Sequence, residues 1–165
     1  MARGVHFAFK GGEDYLLKLT RMADQSDEMM RRMVYAGADV VTDAIRDGIQ
    51  RLPEIPRGEY GTRDQMLAGI TAEQKEGLLD GLGITPIKHE NGGFNAKVGF
   101  EGYNRTRTHQ YPKGQPNVLI ARSVESGTSF RQKQPFVSEA VKESRRQAVQ
   151  AMQSVFDEDT KKIME

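Results

Sequence analysis

Two long stretches of helical periodicity, residues 27–52 and 136–163, constrain the rest of this chain. In the first, Met30, Val34, Gly37, Val41, Ala44, Gly48 and Leu52 recur every three or four residues, and Met33, Val40, Ile45 and Ile49 widen the stripe. Ser26 reads as its N-cap, with Asp27 and Glu28 in the first turn, where the helix dipole favours acids, and Pro53 ends it. In the second, Gln134-Pro135 opens a run whose Phe136, Ala140, Val141, Ala148, Met152, Val155 and Ile163 outline a helix of about thirty residues, against a usual mean of about twelve. Helices this long, each with one apolar stripe, need another layer to cover them.

The remaining elements are short. Val5, Phe7 and Phe9 alternate with His6, Ala8 and Lys10, which predicts a strand over 4–10. Gly11-Gly12 break it, and Glu13-Asp14 start a helix carrying Tyr15, Leu16, Leu19 and Met22. Residues 53–61 hold two Pro and two Gly after the first of the long helices and read as loop. Two capping boxes follow, Thr62-x-x-Gln65 and Thr71-x-x-Gln74, predicting helices over 63–69 and 72–80. Residues 84–90 and 94–101 flank Asn91-Gly92-Gly93 as a hairpin, with Pro86 confining the first strand to an edge. Residues 102–116 lack periodicity and read as a long polar loop, functional or mobile. Pro116 then suits the first turn of a helix with Val118, Leu119, Arg122 and Val124, and Gly127 its C′ position. The plan is α+β: one domain over 1–165, a small antiparallel sheet packed against two long helices, with short connecting helices and long polar loops.

Composition narrows the function. Leu, Ile, Val and Phe number 35 of 165 residues, close to the level of disordered chains, so the core is thin and burial is expected to be completed against copies of the chain or a partner. There is no cysteine, which excludes disulfides, thiolate metal sites and cysteine nucleophiles. No stretch reaches the apolar length of a membrane span, and the N-terminus lacks a signal-peptide pattern, so the protein is expected to be made in the cytosol without membrane attachment. His6, His89 and His109 have no metal-ligand spacing, and neither phosphate-binding glycine patterns nor a nucleophile elbow occur. No catalytic residue, metal or cofactor is expected.

One segment departs from the overall charge balance of +1. Residues 103–135 hold Arg105, Arg107, Lys113, Arg122, Arg131 and Lys133 against the single acid Glu125, a net of +5, interleaved with Tyr103, Tyr111 and Phe130. Cations neutralise phosphate and aromatic rings stack on bases, so one reading is a small nucleic-acid-binding module; the other is a solvated loop.

Val124-Glu125-Ser126-Gly127-Thr128-Ser129, followed by Gln134-Pro135-Phe136-Val137 and Ala140, resembles the Glu-Phe-Gly-Thr-Ser…Gln-Pro-Phe-Leu-x-x-Ala signature of tailed-bacteriophage minor tail components, the head–tail joining or tail-completion proteins of lambda-like siphophages. Phe9-Lys10-Gly11-Gly12 leading into Tyr15-Leu16-Leu17-Lys18-Leu19, and Ala36-Gly37-Ala38-Asp39-Val40-Val41 in the long helix, fit the same family order. The chain departs from it where Ser126 replaces the Phe, and where Leu52-Pro53 precedes an expanded loop instead of Ala-Pro-x-x-Thr-Gly-x-Leu. Either of two neck roles is compatible with those departures.

The resemblance implies a noncatalytic virion protein, made in the host cytoplasm, that forms a hexameric or dodecameric ring in the neck. Its implied partners are itself, neighbouring neck, portal-side adaptor or tail-terminator proteins, and packaged DNA contacted without sequence preference. On physical grounds Gly127, Thr128, Gln134, Pro135 and Phe136 read as a structural corner: a left-handed glycine, hydroxyls for loose backbone groups, and a ring anchoring the last helix. Arg105, Arg107 and Lys113 are the candidates for a loop facing the channel or a neighbouring ring.

Overall fold

The computed structural model describes residues 12–165; the strand expected over 4–10 lies outside them. In chain order the elements are α1 (Gly12–Asp24), α2 (Ser26–Arg51), α3 (Ala72–Gly81), β1 (Leu82–Ile84), β2 (Lys88–Glu90), β3 (Gly93–Asn95), β4 (Val98–Phe100), α4 (Asn117–Ser126) and α5 (Phe136–Met164). This is an α+β fold, with a small antiparallel β component packed on helices.

The principal layer is α2 against α5. The two run antiparallel: Gly48 faces Phe136, Gly37 faces Ala148 and Met152, and Arg32 pairs with Asp159 at 3.0 Å. The buried face of α2 is rotated from the expected stripe. Met29, Ala38, Thr42, Ile45 and Ile49 are buried with the two glycines, whereas Met30 is exposed and Val34, Val41 and Ala44 are only half-buried. Gly37 and Gly48 belong to both stripes and face α5, where a Cβ would lie 2.9 Å from the Met152 side chain and 3.2 Å from the Phe136 carbonyl oxygen. Thr42 is tolerated on the buried face because its hydroxyl donates to the Ala38 carbonyl at 2.8 Å.

Ser26 does not cap α2. Gln25 holds the N-cap position without a side-chain bond, and the Ser26 hydroxyl donates back to the Ala23 carbonyl at 2.8 Å. Because the Gln25 N–H bonds the Arg21 carbonyl and its carbonyl accepts the Met29 N–H, the chain passes from α1 into α2 with few free backbone groups, leaving little for a cap to satisfy.

The core gathers where α2 ends and α5 begins. Ile45, Ile49 and Leu52 meet Ile70, Leu78 of α3, Leu82 of β1, Ile120, Ala121 and Val124 of α4, and Phe136 and Ala140 of α5. The Thr71–Gln74 capping box forms in full, each backbone N–H bonding the other side chain at 3.2 Å, and α3 follows it as predicted.

The helix expected over 63–69 is absent. Thr62 Oγ1 does accept the Gln65 N–H at 3.0 Å, but the Leu67 N–H is committed to the Phe130 carbonyl at 2.8 Å and its carbonyl to the Gln132 N–H at 2.9 Å. These long-range bonds, with the Ile70 N–H on the Pro53 carbonyl at 3.0 Å, hold the segment extended and take groups a helix would use internally. Gly69 makes the threading possible, since a Cβ there would collide with the Pro53 carbonyl.

The hairpin forms around Asn91 and Gly92, at φ 54° and 76°, the positive values a two-residue turn requires. It pairs in two sections of different register, Lys88 with Asn95 near the turn and Ile84 with Val98 farther out. Four steps of chain therefore face three, and the first strand bulges by one residue around Pro86, which has no N–H for the ladder. Thr85 bridges the gap: its N–H bonds the Lys97 carbonyl at 2.8 Å, and its hydroxyl accepts the Lys97 N–H at 2.9 Å.

Candidate functional site: an arginine-lined cleft beside a capped corner

All five residues expected at a structural corner come together. Gly127 closes α4 at the C-cap, one position before the expected C′, with φ 72° and ψ 167°, a positive-φ conformation essentially confined to glycine. Thr128 exchanges backbone bonds with Arg131, and its hydroxyl accepts the Phe130 N–H at 3.2 Å, tightening the turn. The Gln134 N–H returns to the Val124 carbonyl at 2.8 Å, and its side-chain amide donates to the Ala68 carbonyl. Pro135 precedes α5, and Phe136 is 5% exposed, its ring 6.1 Å from that of Phe100.

The group that sequence reading passed over is Glu125. From the last turn of α4, its two carboxylate oxygens accept the Val137 N–H at 2.8 Å and the Ser138 N–H at 3.0 Å, and the Ser138 hydroxyl also donates to it. Pro135 carries no hydrogen-bonding side chain, so the cap of α5 is supplied from a preceding helix. A carboxylate there also faces the positive end of the helix dipole.

Beside the corner lies a cleft of about 630 Å³. Its walls are Ile55, Arg57 and Tyr60 from the 53–61 loop, Arg105, Thr106, Arg107 and Thr108 from the 102–116 loop, Leu67, Phe130 and Arg131 from the paired extended segments, and Thr71 and Gln74 at the start of α3. The 102–116 loop, expected to be functional or mobile, is cross-braced. Asn104 N–H bonds the Gln115 carbonyl and Gln115 N–H the Thr106 carbonyl, both at 2.9 Å, and Gln74 Nε2 donates to Gln115 Oε1 at 3.0 Å.

The four arginines differ sharply. Arg57 and Arg105 are exposed and pair with Glu73 at 3.5 Å and Glu76 at 3.6 Å. Arg107 is exposed and has no ion pair among the described residues. Arg131 is 9% exposed; one guanidinium nitrogen donates to the Gly69 carbonyl, and no carboxylate pairs with it among the described residues. Burial pushes its pKa below the usual arginine value. The Thr106 hydroxyl, also in the wall, is buried with no hydrogen-bond partner.

The basic segment is therefore not one surface, as its sequence suggests. Arg105, Arg107 and Arg131 line this cleft, Lys133 lines a second one of about 450 Å³ with Arg51, Glu139 and Glu143, and Lys113 and Arg122 are exposed outside both. Tyr103 is exposed outside the cleft, and only Phe130 of the three interleaved rings lines it. The burial of Arg131 had no sequence signal, because it depends on Gly69, 62 residues earlier. The Pro- and Gly-rich character of 53–61 was the visible hint that this loop contributes to a site.

His89 stacks on Phe94 at 4.6 Å, His109 is exposed, and His6 lies outside the described residues. Among the described residues no three or more His, Asp or Glu side chains converge to hold a metal, and no helix is long and apolar enough to cross a membrane. Compared with protein-family models, curated proteins and solved structures, the chain has no match.

Proposed function

We propose that this chain is a noncatalytic structural subunit of a tailed-phage virion, assembling as a ring in the neck that joins head to tail. The observation that carries the reading is the use made of the residues on which the resemblance rests. Between Val124 and Ala140, Glu125 caps α5, Gly127 supplies a positive-φ turn, Gln134 ties back to α4 and to the Ala68 carbonyl, and Phe136 and Ala140 are in the core. These groups are spent on fixing the angle between two helices, the role expected of a signature that specifies a building block.

The surface supports assembly. Leu16 and Leu17 on α1, Val118 on α4 and Val149 on α5 are each more than half exposed, so each of these helices keeps apolar area outside the core. Apolar side chains spread over several faces suit a subunit contacted by copies on either side and by rings above and below.

Cryo-electron microscopy of particles carrying a tagged copy tests the reading. Ring density at the neck accommodating the α2–α5 layer supports it. A chain absent from purified particles, monomeric at high concentration and bound to DNA with a steep salt dependence would instead identify the nucleic-acid-binding module.

A further inference from the structure

We propose that the cleft between the 53–61 and 102–116 loops is a docking site for an acidic segment of another polypeptide, whose carboxylates pair with Arg131 and Arg107. The inference goes beyond the neck reading and stands or falls separately from it.

Three features set the chemistry. Arg131, a residue only 9% exposed, with one protein acceptor and no counter-charge among the described residues, is costly for the free chain and is relieved by an anion entering the cleft. The fork of N–H groups on arginine matches a carboxylate in two parallel bonds, a geometry that a lysine in the same place does not offer. Glu59 is the one carboxylate in the lining, so an incoming acid meets little like charge.

The same features favour a polypeptide over nucleic acid. Duplex phosphates lie on a broad convex surface and are met by protruding side chains, whereas Arg131 is largely buried in the wall of a cleft. Because Glu73 and Glu76 pair with Arg57 and Arg105, two guanidinium groups in the cleft, Arg107 and Arg131, have no carboxylate partner among the described residues. Two charges in a pit suit a short acidic motif rather than a phosphate track, which is held by cations spaced along its length. Ile55, Leu67, Phe130 and Tyr60 line the cleft beside them, giving apolar contact to the side chains flanking the acid.

The test uses the full chain and an array of ten-residue peptides with a fixed Glu-Glu or Asp-Asp pair and randomised flanks, beside an identical array carrying Gln-Gln or Asn-Asn. Peptides retained by the acidic array are labelled and measured by fluorescence anisotropy against wild type, Arg107→Gln and Arg131→Lys. Expected are retention on the acidic array alone, affinity at least threefold weaker for Arg107→Gln, and at least tenfold weaker for Arg131→Lys, which keeps charge and loses the fork. Circular dichroism checks each variant; if Arg131→Lys does not fold, Arg107→Gln on its exposed loop decides. Equal retention on both arrays, or unchanged affinity in the folded variants, overturns the proposal. Displacement of the peptide by a single-stranded oligonucleotide at lower concentration than by unlabelled peptide also overturns it and assigns the cleft to nucleic acid; displacement by millimolar inorganic phosphate alone is expected of any arginine-held anion and supports the pairing.

Discussion

The carboxylate of Glu125, in the last turn of α4, accepts the backbone N–H of Val137, in the first turn of α5, at 2.8 Å. With the Ser138 N–H on its other oxygen at 3.0 Å, one side chain satisfies two of the three backbone donors, Phe136, Val137 and Ser138, that a 29-residue helix starting after Pro135 leaves without an intrahelical partner. Helix-cap deletions cost about 1 kcal/mol, and charge-assisted bonds at a helix N-terminus somewhat more, so Glu125→Ala should cost about 1–2 kcal/mol. In a chain of this size that lowers the thermal midpoint by about 2–8 °C. Glu125→Gln keeps an acceptor and loses the charge, and should fall between. Calorimetry giving all three proteins the same midpoint would dismiss the cap.

Gly127 should tolerate little. At φ 72° a β-branched side chain is strained by itself, and a Cβ would sit 3.0 Å from Lys133 Cβ and 3.1 Å from Lys133 N. Gly127→Val is expected to cost at least about 1–2 kcal/mol by urea denaturation, and Gly127→Asn a similar amount, because ψ 167° lies outside the left-handed α region that Asn adopts and in one essentially confined to glycine. Gly127→Asn as stable as wild type would show that backbone conformation does not restrict the site.

The centre of the core is Ile49 rather than Val41. Ile49 is fully buried, whereas Val41 is half-buried at the edge of the cluster. Ile49→Ala should cost about 2–5 kcal/mol, and Ile49→Asp should abolish soluble folded protein, since a buried unpaired carboxylate consumes most of a total stability of about 5–15 kcal/mol. Val41→Asp should be the milder of the two aspartates, because water reaches its side chain. Thermal melts ranking them in the reverse order would misplace the core.

Two glycines separate flexible from rigid crowding. A Cβ at Gly37 meets the Met152 side chain at 2.9 Å, and that thioether can swing aside. Gly37→Ala gains about 0.5–1 kcal/mol of helix propensity against that adjustment and should change stability by less than about 1 kcal/mol. At Gly69 the obstacle is the Pro53 backbone, so Gly69→Ala must move chain and should cost about 1–3 kcal/mol. Chemical denaturation of the pair reads the difference directly.

Local signals in the sequence were decisive at most places where the partner was local, the exception being Ser26, displaced as a cap by the backbone bonds of Gln25. The Thr71–Gln74 box, the Asn91-Gly92 turn, Gly127 and the Pro135-Phe136 start all involve residues within a few positions of each other, and each forms as expected, Gly127 one cap position early. The equivalent box at Thr62 fails because Leu67 is claimed by Phe130 and Gln132, more than sixty residues on. The rotation of the α2 stripe has the same origin: periodicity fixes which residues share a face, but the depth of each depends on where α5 crosses. The cleft was the least legible, since Arg57, Arg107 and Arg131 are brought together by three separate chain segments, and a count of charges does not distinguish the buried Arg131 and the exposed Arg107 from Arg57 and Arg105, which are paired with carboxylates.

The last prediction concerns Arg105, Arg107 and Lys113 together. All three are exposed, and the one ion pair among them, Arg105 with Glu76 at 3.6 Å, is the kind of surface contact worth about 0–1 kcal/mol. The loop that carries them is braced by Asn104, Thr106 and Gln115, none of which is touched by replacing the three cations with Ser. The triple variant should therefore fold with a thermal midpoint within a few degrees of wild type. On the proposed reading, its loss falls on assembly, as fewer joined heads and tails or genome leaking from completed particles, because a neck loop meets either phosphate or an acidic neighbouring surface. Negative-stain counts of joined particles, with plaque titres, measure this. A folded triple variant giving wild-type counts and titres would leave the charges without a role in the joint.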